Sequence, residues 1–319
     1  MYYIGIDLGG TNIAAGIVDE NYKIIKKGSV PTLPNRAPEE IIRDMGELCK
    51  KVVADAGLTF DQIKSAGIAT PGTANSETGY CEYANNLPFL RFPLADTLKK
   101  FIPVDDVHIE NDANAAAWAE AVAGAARGVN DSVMITLGTG VGGGIIIGRK
   151  VYAGFNFAGA ELGHMVIEYN GRQCSCGRRG CWEAYSSATA LISMTKEKME
   201  ETRDTMMWEM CEHTIDNVSG KTAFAAMKKG DRAGAEVVDM YISYLACGIL
   251  NIINIFQPEV LSIGGGICNE KDYLTKPLMK LIGEGGYGGG ESRVKPTQIK
   301  IAELGNDAGI IGAALLGVQ

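Results

Sequence analysis

The chain repeats one design. Ile4-Gly-Ile-Asp-Leu-Gly-Gly-Thr-Asn-Ile-Ala-Ala-Gly-Ile-Val18 and Val133-Met-Ile-Thr-Leu-Gly-Thr-Gly-Val-Gly-Gly-Gly-Ile-Ile-Ile147 each carry an apolar β-rich run, a glycine turn with hydroxyl residues and a second apolar run. Each segment reads as a hairpin, and two matched copies, one near the start of each half, point to a duplicated domain. The 319 residues leave room for that at about 100–200 residues per domain. Glycine is abundant, 41 residues against a usual ~7%. Because the glycines cluster, they mark turns approached closely by a ligand or by another stretch of backbone.

The rest of the chain fits an α/β architecture. A third strand to Val30 is followed by a helix over 39–56, whose Ile41, Ile42, Met45, Leu48, Val52 and Val53 fall at helical spacing before Gly57. Strands are expected over 63–69 and 104–109, the latter leading into an Ala-rich helix over 112–126, with a crossover at 128–131. Residues 171–183 read as a cysteine-rich loop, 186–250 as largely helical, and 260–263 as a strand ending in Gly264-Gly265-Gly266. Asn306-Asp307 is expected to cap a last small-residue helix.

Composition removes several functional classes. With 30 basic and 38 acidic residues the net charge is −8, which argues against a nucleic-acid surface. The N-terminal run lacks a basic segment and carries Asp7, unlike a signal peptide. The uncharged stretch 240–258 contains Ser243, Asn251, Asn254 and Gln257 and is expected to be a buried core helix rather than a membrane span. Eight cysteines without a secretory signal fit a reducing compartment, so a cytoplasmic location is expected.

Three constellations carry chemistry. Glycine hairpins present several backbone N–H groups to one point, an anion nest suited to phosphate, to which Thr11, Thr136 and Thr139 can add hydroxyls. Asp7, on the strand entering the first nest, is placed to hold Mg²⁺ near phosphates. The alternative for each turn is a plain hairpin. Gly138-x-Gly140-x-x-Gly143 also matches a dinucleotide fingerprint, but the following Ile145-Ile-Ile147 is a strand where that motif needs a helix.

The second constellation is Glu110-Asn-Asp-Ala-Asn114, where a strand ends and a helix begins. A carboxylate there is held ionised by the helix dipole, so Asp112 could serve as a general base. A simple N-cap is the competing reading. The third is His164 with Cys174, Cys176 and Cys181, a closed four-ligand set for structural zinc. Around it, Glu161 and Glu183 offer a carboxylate array for a polyhydroxylated ligand.

Taken together, Asp7-Leu-Gly-Gly-Thr-Asn12, Glu110–Asn114, Thr136-Leu-Gly-Thr-Gly-Val-Gly-Gly-Gly144, Gly159-Ala-Glu-Leu-Gly-His164, Cys174-x-Cys-Gly-x-x-Gly-Cys-x-Glu183 and Ile263-Gly-Gly-Gly-Ile267 resemble the ROK family of bacterial sugar kinases and repressors. The resemblance runs in order over nearly the whole chain. It implies an actin-like ATPase (ribonuclease H-like) fold of two lobes with ATP and sugar in the cleft between them, residues 1–130 plus a returning helix 306–319 forming one lobe and 131–305, with a zinc-binding loop 164–183, the other.

By the same resemblance, Gly9, Gly10, Thr11, Asn12, Thr136, Gly138, Thr139 and Gly140 hold ATP phosphates, and Gly264, Gly265 and Gly266 lie near the adenosine. Asp112 takes the proton of the sugar 6-hydroxyl, and Asn86, Asn111, Glu161, His164 and Glu183 contact the sugar. His164, Cys174, Cys176 and Cys181 bind zinc. The implied activity is ATP-dependent phosphorylation of a hexose at O6, glucose foremost, by a homodimer. The contacts recognise hydroxyls common to several hexoses, so N-acetylmannosamine, fructose and allose stay open. Repressors of the family carry a helix-turn-helix ahead of the first strand; here that strand begins by Tyr3, an expectation against a sugar-sensing regulator.

Overall fold

The structure is a computed structural model that describes residues 1–287 and 295–318. From the N-terminus, β1 (Tyr2–Leu8), β2 (Asn12–Asp19) and β3 (Ile24–Pro31) form an antiparallel meander, followed by helix α1 (Pro38–Asp55). Strand β4 (Ile63–Thr70) precedes three short strands, β5 (Thr73–Asn75), β6 (Tyr80–Tyr83) and β7 (Leu90–Phe92), and helix α2 (Leu94–Lys99). Then β8 (Val107–Asn111) runs directly into helix α3 (Asp112–Ala123). The first sheet has the order β3-β2-β1-β4-β8, with β4 parallel to both β1 and β8. β1 and β4 are almost wholly buried, as strands covered on both faces must be, whereas edge strand β3 alternates between half-buried and exposed residues.

The second repeat takes the same plan. β9 (Ser132–Leu137), β10 (Val141–Ile147) and β11 (Lys150–Val151) are followed by helices α4 (Glu183–Ser186), α5 (Ala188–Glu201), α6 (Met207–Met210), α7 (Thr222–Lys228) and α8 (Arg232–Phe256). Strand β12 (Val260–Gly264), helix α9 (Asp272–Gly285) and strand β13 (Gln298–Ile301) complete it, and helix α10 (Ala308–Ala314) belongs to the first unit. The sheet order β11-β10-β9-β12-β13 matches the first sheet position for position. The chain divides into two compact units, Met1–Met134 with Gly144–Ala160 and the chain from Ala302, and Ile135–Gly143 with Glu161–Ile301.

Helix α1 shows how local sequence sets an element. Pro38 occupies the first turn, Glu40 accepts from the Ala37 N–H at 3.1 Å, and Ile41, Ile42, Met45, Leu48, Val52 and Val53 are buried against the first sheet. Each such side chain contributes about 1.5–3 kcal/mol of burial. Gly57 ends it with φ +71°. Helix α10 packs on the opposite side of the same sheet, so closely that a Cβ at Gly5 or Gly67 would overlap the carbonyls of Ile310 or Ala313. Trp118 of α3 donates its indole N–H to Leu315 O at 3.0 Å in the same layer.

Several expected boundaries move. The strand expected over 104–109 begins only at Val107. The helix expected to reach 126 stops at Ala123, because buried Glu120 accepts from Ala125 N at 2.7 Å and from Leu304 N at 2.8 Å and draws the chain out of the helix. Asp307 makes no side-chain cap; its carboxylate pairs with Lys27 at 2.5 Å. All but the last two residues of the apolar stretch 240–258 lie in α8, which buries Val237, Tyr241, Leu245, Ile249 and Ile252 along one face and leaves Met240 and Ile255 exposed on the other. It is therefore an amphipathic helix rather than a fully buried one. By length and composition alone it could cross a membrane, a test that a core helix passes equally.

Candidate active site

In the first unit, the strand-to-helix junction after β8 organises the carboxylates. Asn111 is the N-cap of α3: its Oδ1 accepts from Ala113 N at 2.9 Å and Asn114 N at 3.2 Å, and its Nδ2 donates to Gly72 O at 2.9 Å. The capping role that competed for Asp112 is thus filled by its neighbour. Asp112 takes the first helical position, exposed, with Oδ1 accepting from Ala113 N at 2.8 Å. There the helix dipole favours the anion. Asp7, on β1, is mostly buried, and desolvation, followed by the negative charge of Asp112, pushes its pKa up to about 6. A Cβ at Gly309, in the first turn of α10, would overlap the Asp7 carboxylate, so glycine there leaves it room.

The first glycine turn closes through Gly9 N donating to Asn12 O at 3.0 Å. Fully buried Thr32 braces it from the end of β3, its hydroxyl donating to Gly9 O at 2.6 Å and its N–H to Thr11 O at 2.9 Å. Thr11 and Asn12 face outward, and Asn86 borders Gly10. Asp7, Gly9, Gly10, Asn86, Asn111 and Asp112 therefore belong to one unit.

In the second unit, Gly138 N donates to Gly140 O at 3.0 Å, closing the second turn, with Thr136 half-buried on β9 before it. Gly265 has φ +104°, and a Cβ there would overlap Leu137 O, which ties the Gly264-Gly265-Gly266 turn to the entry of the second hairpin. Glu183 points its carboxylate at that hairpin, Oε2 accepting from Val141 N at 3.0 Å. Glu161 precedes the short turn that carries His164, its carbonyl accepting from His164 N at 3.0 Å, and its carboxylate is exposed.

His164, Cys174, Cys176 and Cys181 place one ligand atom each within 4.8 Å of one another. Cys176 Sγ lies 3.7 Å from Cys181 Sγ, and Cys174 Sγ lies 3.6 Å from His164 Nδ1. Tetrahedral zinc with Zn–S of about 2.3 Å and Zn–N of about 2.0 Å requires edges of about 3.8 Å and about 3.5 Å, so the donor set fits that ion. Burial and the neighbouring sulfurs push the Cys181 thiol up to about 12, whereas the Arg178 N–H lowers Cys176. Arg172 anchors the loop, with a bidentate pair to Glu197 at 2.8 and 2.6 Å and its N–H donated to Tyr185 Oη at 2.5 Å.

Some contributors escaped the sequence reading. Thr32 lies far along the chain from the turn it braces, and no local pattern marks it. Glu110 was visible within its motif but received no role: it is buried, its pKa raised by desolvation, and it accepts from Asn111 N at 2.9 Å and Asn114 Nδ2 at 3.0 Å, fixing the junction before Asp112.

The ROK family model matches residues 3–319. A glucokinase of Thermotoga maritima is 36% identical over 98% of this chain and 95% of its own length, and a glucokinase of Streptomyces coelicolor is 33% identical over 98% and 96%. Among solved structures, a ROK family glucokinase from Streptomyces griseus in complex with glucose and AMPPNP is similar with a TM-score of 0.81 and 33% identity, covering 99% of both chains. The repeated α/β sheets are those of an actin-like ATPase. With a match that begins in β1 and continues beyond α10, this chain belongs to the ROK family.

Proposed function

We propose that the protein is an ATP-dependent hexokinase that phosphorylates the 6-hydroxyl of glucose. The observation that carries this reading is the junction at Asn111-Asp112, where the neighbour caps the helix and leaves the Asp112 carboxylate exposed at its N-terminus; the similarity to glucokinases supports the substrate. Asp112 accepts the hydroxyl proton as the sugar oxygen bonds the γ-phosphorus and the bridging bond to ADP breaks. Glu110 and Asn111 keep the base in place. Three of Asn111's hydrogen-bonding positions are used within the protein, and its second Nδ2–H serves a sugar hydroxyl.

Asn86, Glu161, His164 and Glu183 complete the hexose contacts in this reading, the carboxylate oxygens accepting from sugar hydroxyls. Gly9, Gly10, Thr11, Asn12, Thr136, Gly138, Thr139 and Gly140 cradle the phosphates, and Gly264, Gly265 and Gly266 adjoin the adenosine. Asp7 would hold Mg²⁺, which when bound neutralises phosphate charge. His164, Cys174, Cys176 and Cys181 would hold zinc, which when bound fixes the loop between Glu161 and Glu183. Since His164 Nδ1 faces the sulfurs, Nε2 is its nitrogen for the sugar. We assign residues 1–130 with 306–319 and residues 131–305 to the two functional lobes, and propose a cytoplasmic homodimer.

A coupled ATP-consumption assay with Mg²⁺ and glucose, N-acetylmannosamine, N-acetylglucosamine, fructose, mannose and allose tests the assignment. A preference in kcat/KM for glucose supports it. Preference for another hexose keeps the mechanism and replaces the substrate, and sugar binding without turnover of any would identify a sensor.

A further inference from the structure

One carboxylate joins the second glycine hairpin to the cysteine loop. Glu183 opens α4 two residues after Cys181; its Oε2 accepts from Val141 N at 3.0 Å, and its Oε1 accepts from Ser175 Oγ at 3.1 Å. A Cβ at Gly140 would overlap Oε2, so the glycine is what lets the carboxylate reach the turn. The segment that follows ties down the rest of the hairpin: Ala188 N donates to Gly138 O at 2.9 Å, and Thr189 Oγ1 donates to Thr139 O at 2.8 Å. Gly138, Thr139 and Val141 are thus each bonded to residues 183–189, the segment that leaves the cysteine loop.

We propose that Glu183 and Thr189 are positioning residues for the nucleotide phosphates, holding the 138–141 hairpin in its anion-accepting shape before nucleotide arrives. The inference rests on the reading of that hairpin as a phosphate nest. A nest binds tightly only if its N–H groups already converge, and a turn of Gly-Thr-Gly is the most mobile backbone available when nothing ties it. Ties made in advance remove the ordering cost from binding. Glu183 consequently serves nucleotide affinity even when no sugar is bound, which a residue used only for sugar contact would not do. Thr189, on the exposed start of α5, reaches the hairpin from outside the proposed sugar contacts.

The test is calorimetric titration of the sugar-free protein with Mg²⁺-AMPPNP, for the wild type and four variants. Glu183→Ala and Thr189→Val each remove one tie and are expected to weaken binding by about fivefold or more. Glu183→Gln keeps an acceptor for Val141 N, and Thr189→Ser keeps the hydroxyl; both are expected within about twofold of wild type, while Glu183→Gln raises the KM for hexose. Wild-type affinity in both Glu183→Ala and Thr189→Val overturns the inference. If Glu183→Ala fails to fold, the Thr189→Val and Thr189→Ser pair decides the matter. A wild type that binds no nucleotide overturns instead the reading of the hairpin as a phosphate site.

Discussion

The two glycine hairpins share a strand pattern and a place in their sheets, yet they are stiffened from different sides. The turn at 9–12 is braced by Thr32 at the end of its own meander, whereas the turn at 138–141 is tied to a helical segment that follows the cysteine loop. Their entry strands differ too. The first carries Asp7, and the corresponding position in the second is Thr136. A duplicated scaffold has therefore kept its backbone and divided its chemistry: the first copy holds the paired carboxylates Asp7 and Asp112, the second the cysteine loop and its glutamates.

That division can be broken at its strongest point first. Asp112→Asn removes the proposed base and is expected to lower kcat by 10²–10⁴-fold with sugar binding nearly intact, since general-base catalysis is of that order. Turnover above a few per cent of wild type in steady-state assays would move the base elsewhere. In the second copy, Cys176→Ser is expected to abolish zinc retention by elemental analysis and to raise the KM for hexose about tenfold. A metal-free wild type with full activity would remove zinc from the argument.

Asp7→Asn sharpens the contrast through pH. Burial, and after it the Asp112 charge, push Asp7 up to about 6 in the folded chain, well above the ordinary carboxyl range, so its ionised form costs stability above pH 6, and stability is regained as pH falls through 6 toward 4. The variant has no such charge. It is expected to be more stable than wild type by about 3 kcal/mol at pH 8, with the gap closing near pH 4, as read from urea unfolding of the ligand-free proteins. Equal stability at both pH values would show that burial does not strain this carboxylate. The smallest effect is expected from Thr32→Val, which loses one buried hydrogen bond to Gly9 O and about 1 kcal/mol in the same unfolding measurement.

Much of this was legible because it is written in local pattern. The matched hairpins, the strand-to-helix junction at Asn111-Asp112 and the four zinc-type ligands depend on neighbours close in the chain. What escaped depends on distant partners. The early end of α3 follows from Glu120 meeting Leu304, and Asp307 fails to cap because Lys27 claims its carboxylate. The half-exposed face of α8 was hidden because an apolar stretch reads alike whether it is buried on one side or all round. Which residue caps α3 could not be decided from residue types, since Asn111 and Asp112 are both good caps; Ala113 N donates to both, and only the bond from Asn114 N marks Asn111 as the cap.

The seating of α10 against Gly5 and Gly67 bears on how the chain is made. A ribosome releases β1 through β8 roughly 200 residues before α10, a wait of about ten to forty seconds at ordinary elongation speeds. Through that interval the face of the first sheet that α10 will cover, with Tyr3, Val18 and the bare backbone at Gly5 and Gly67, has no lid of its own. The earliest part of the protein to be synthesised is thus among the last to be completed, since that face of its first sheet waits for residues 308–314.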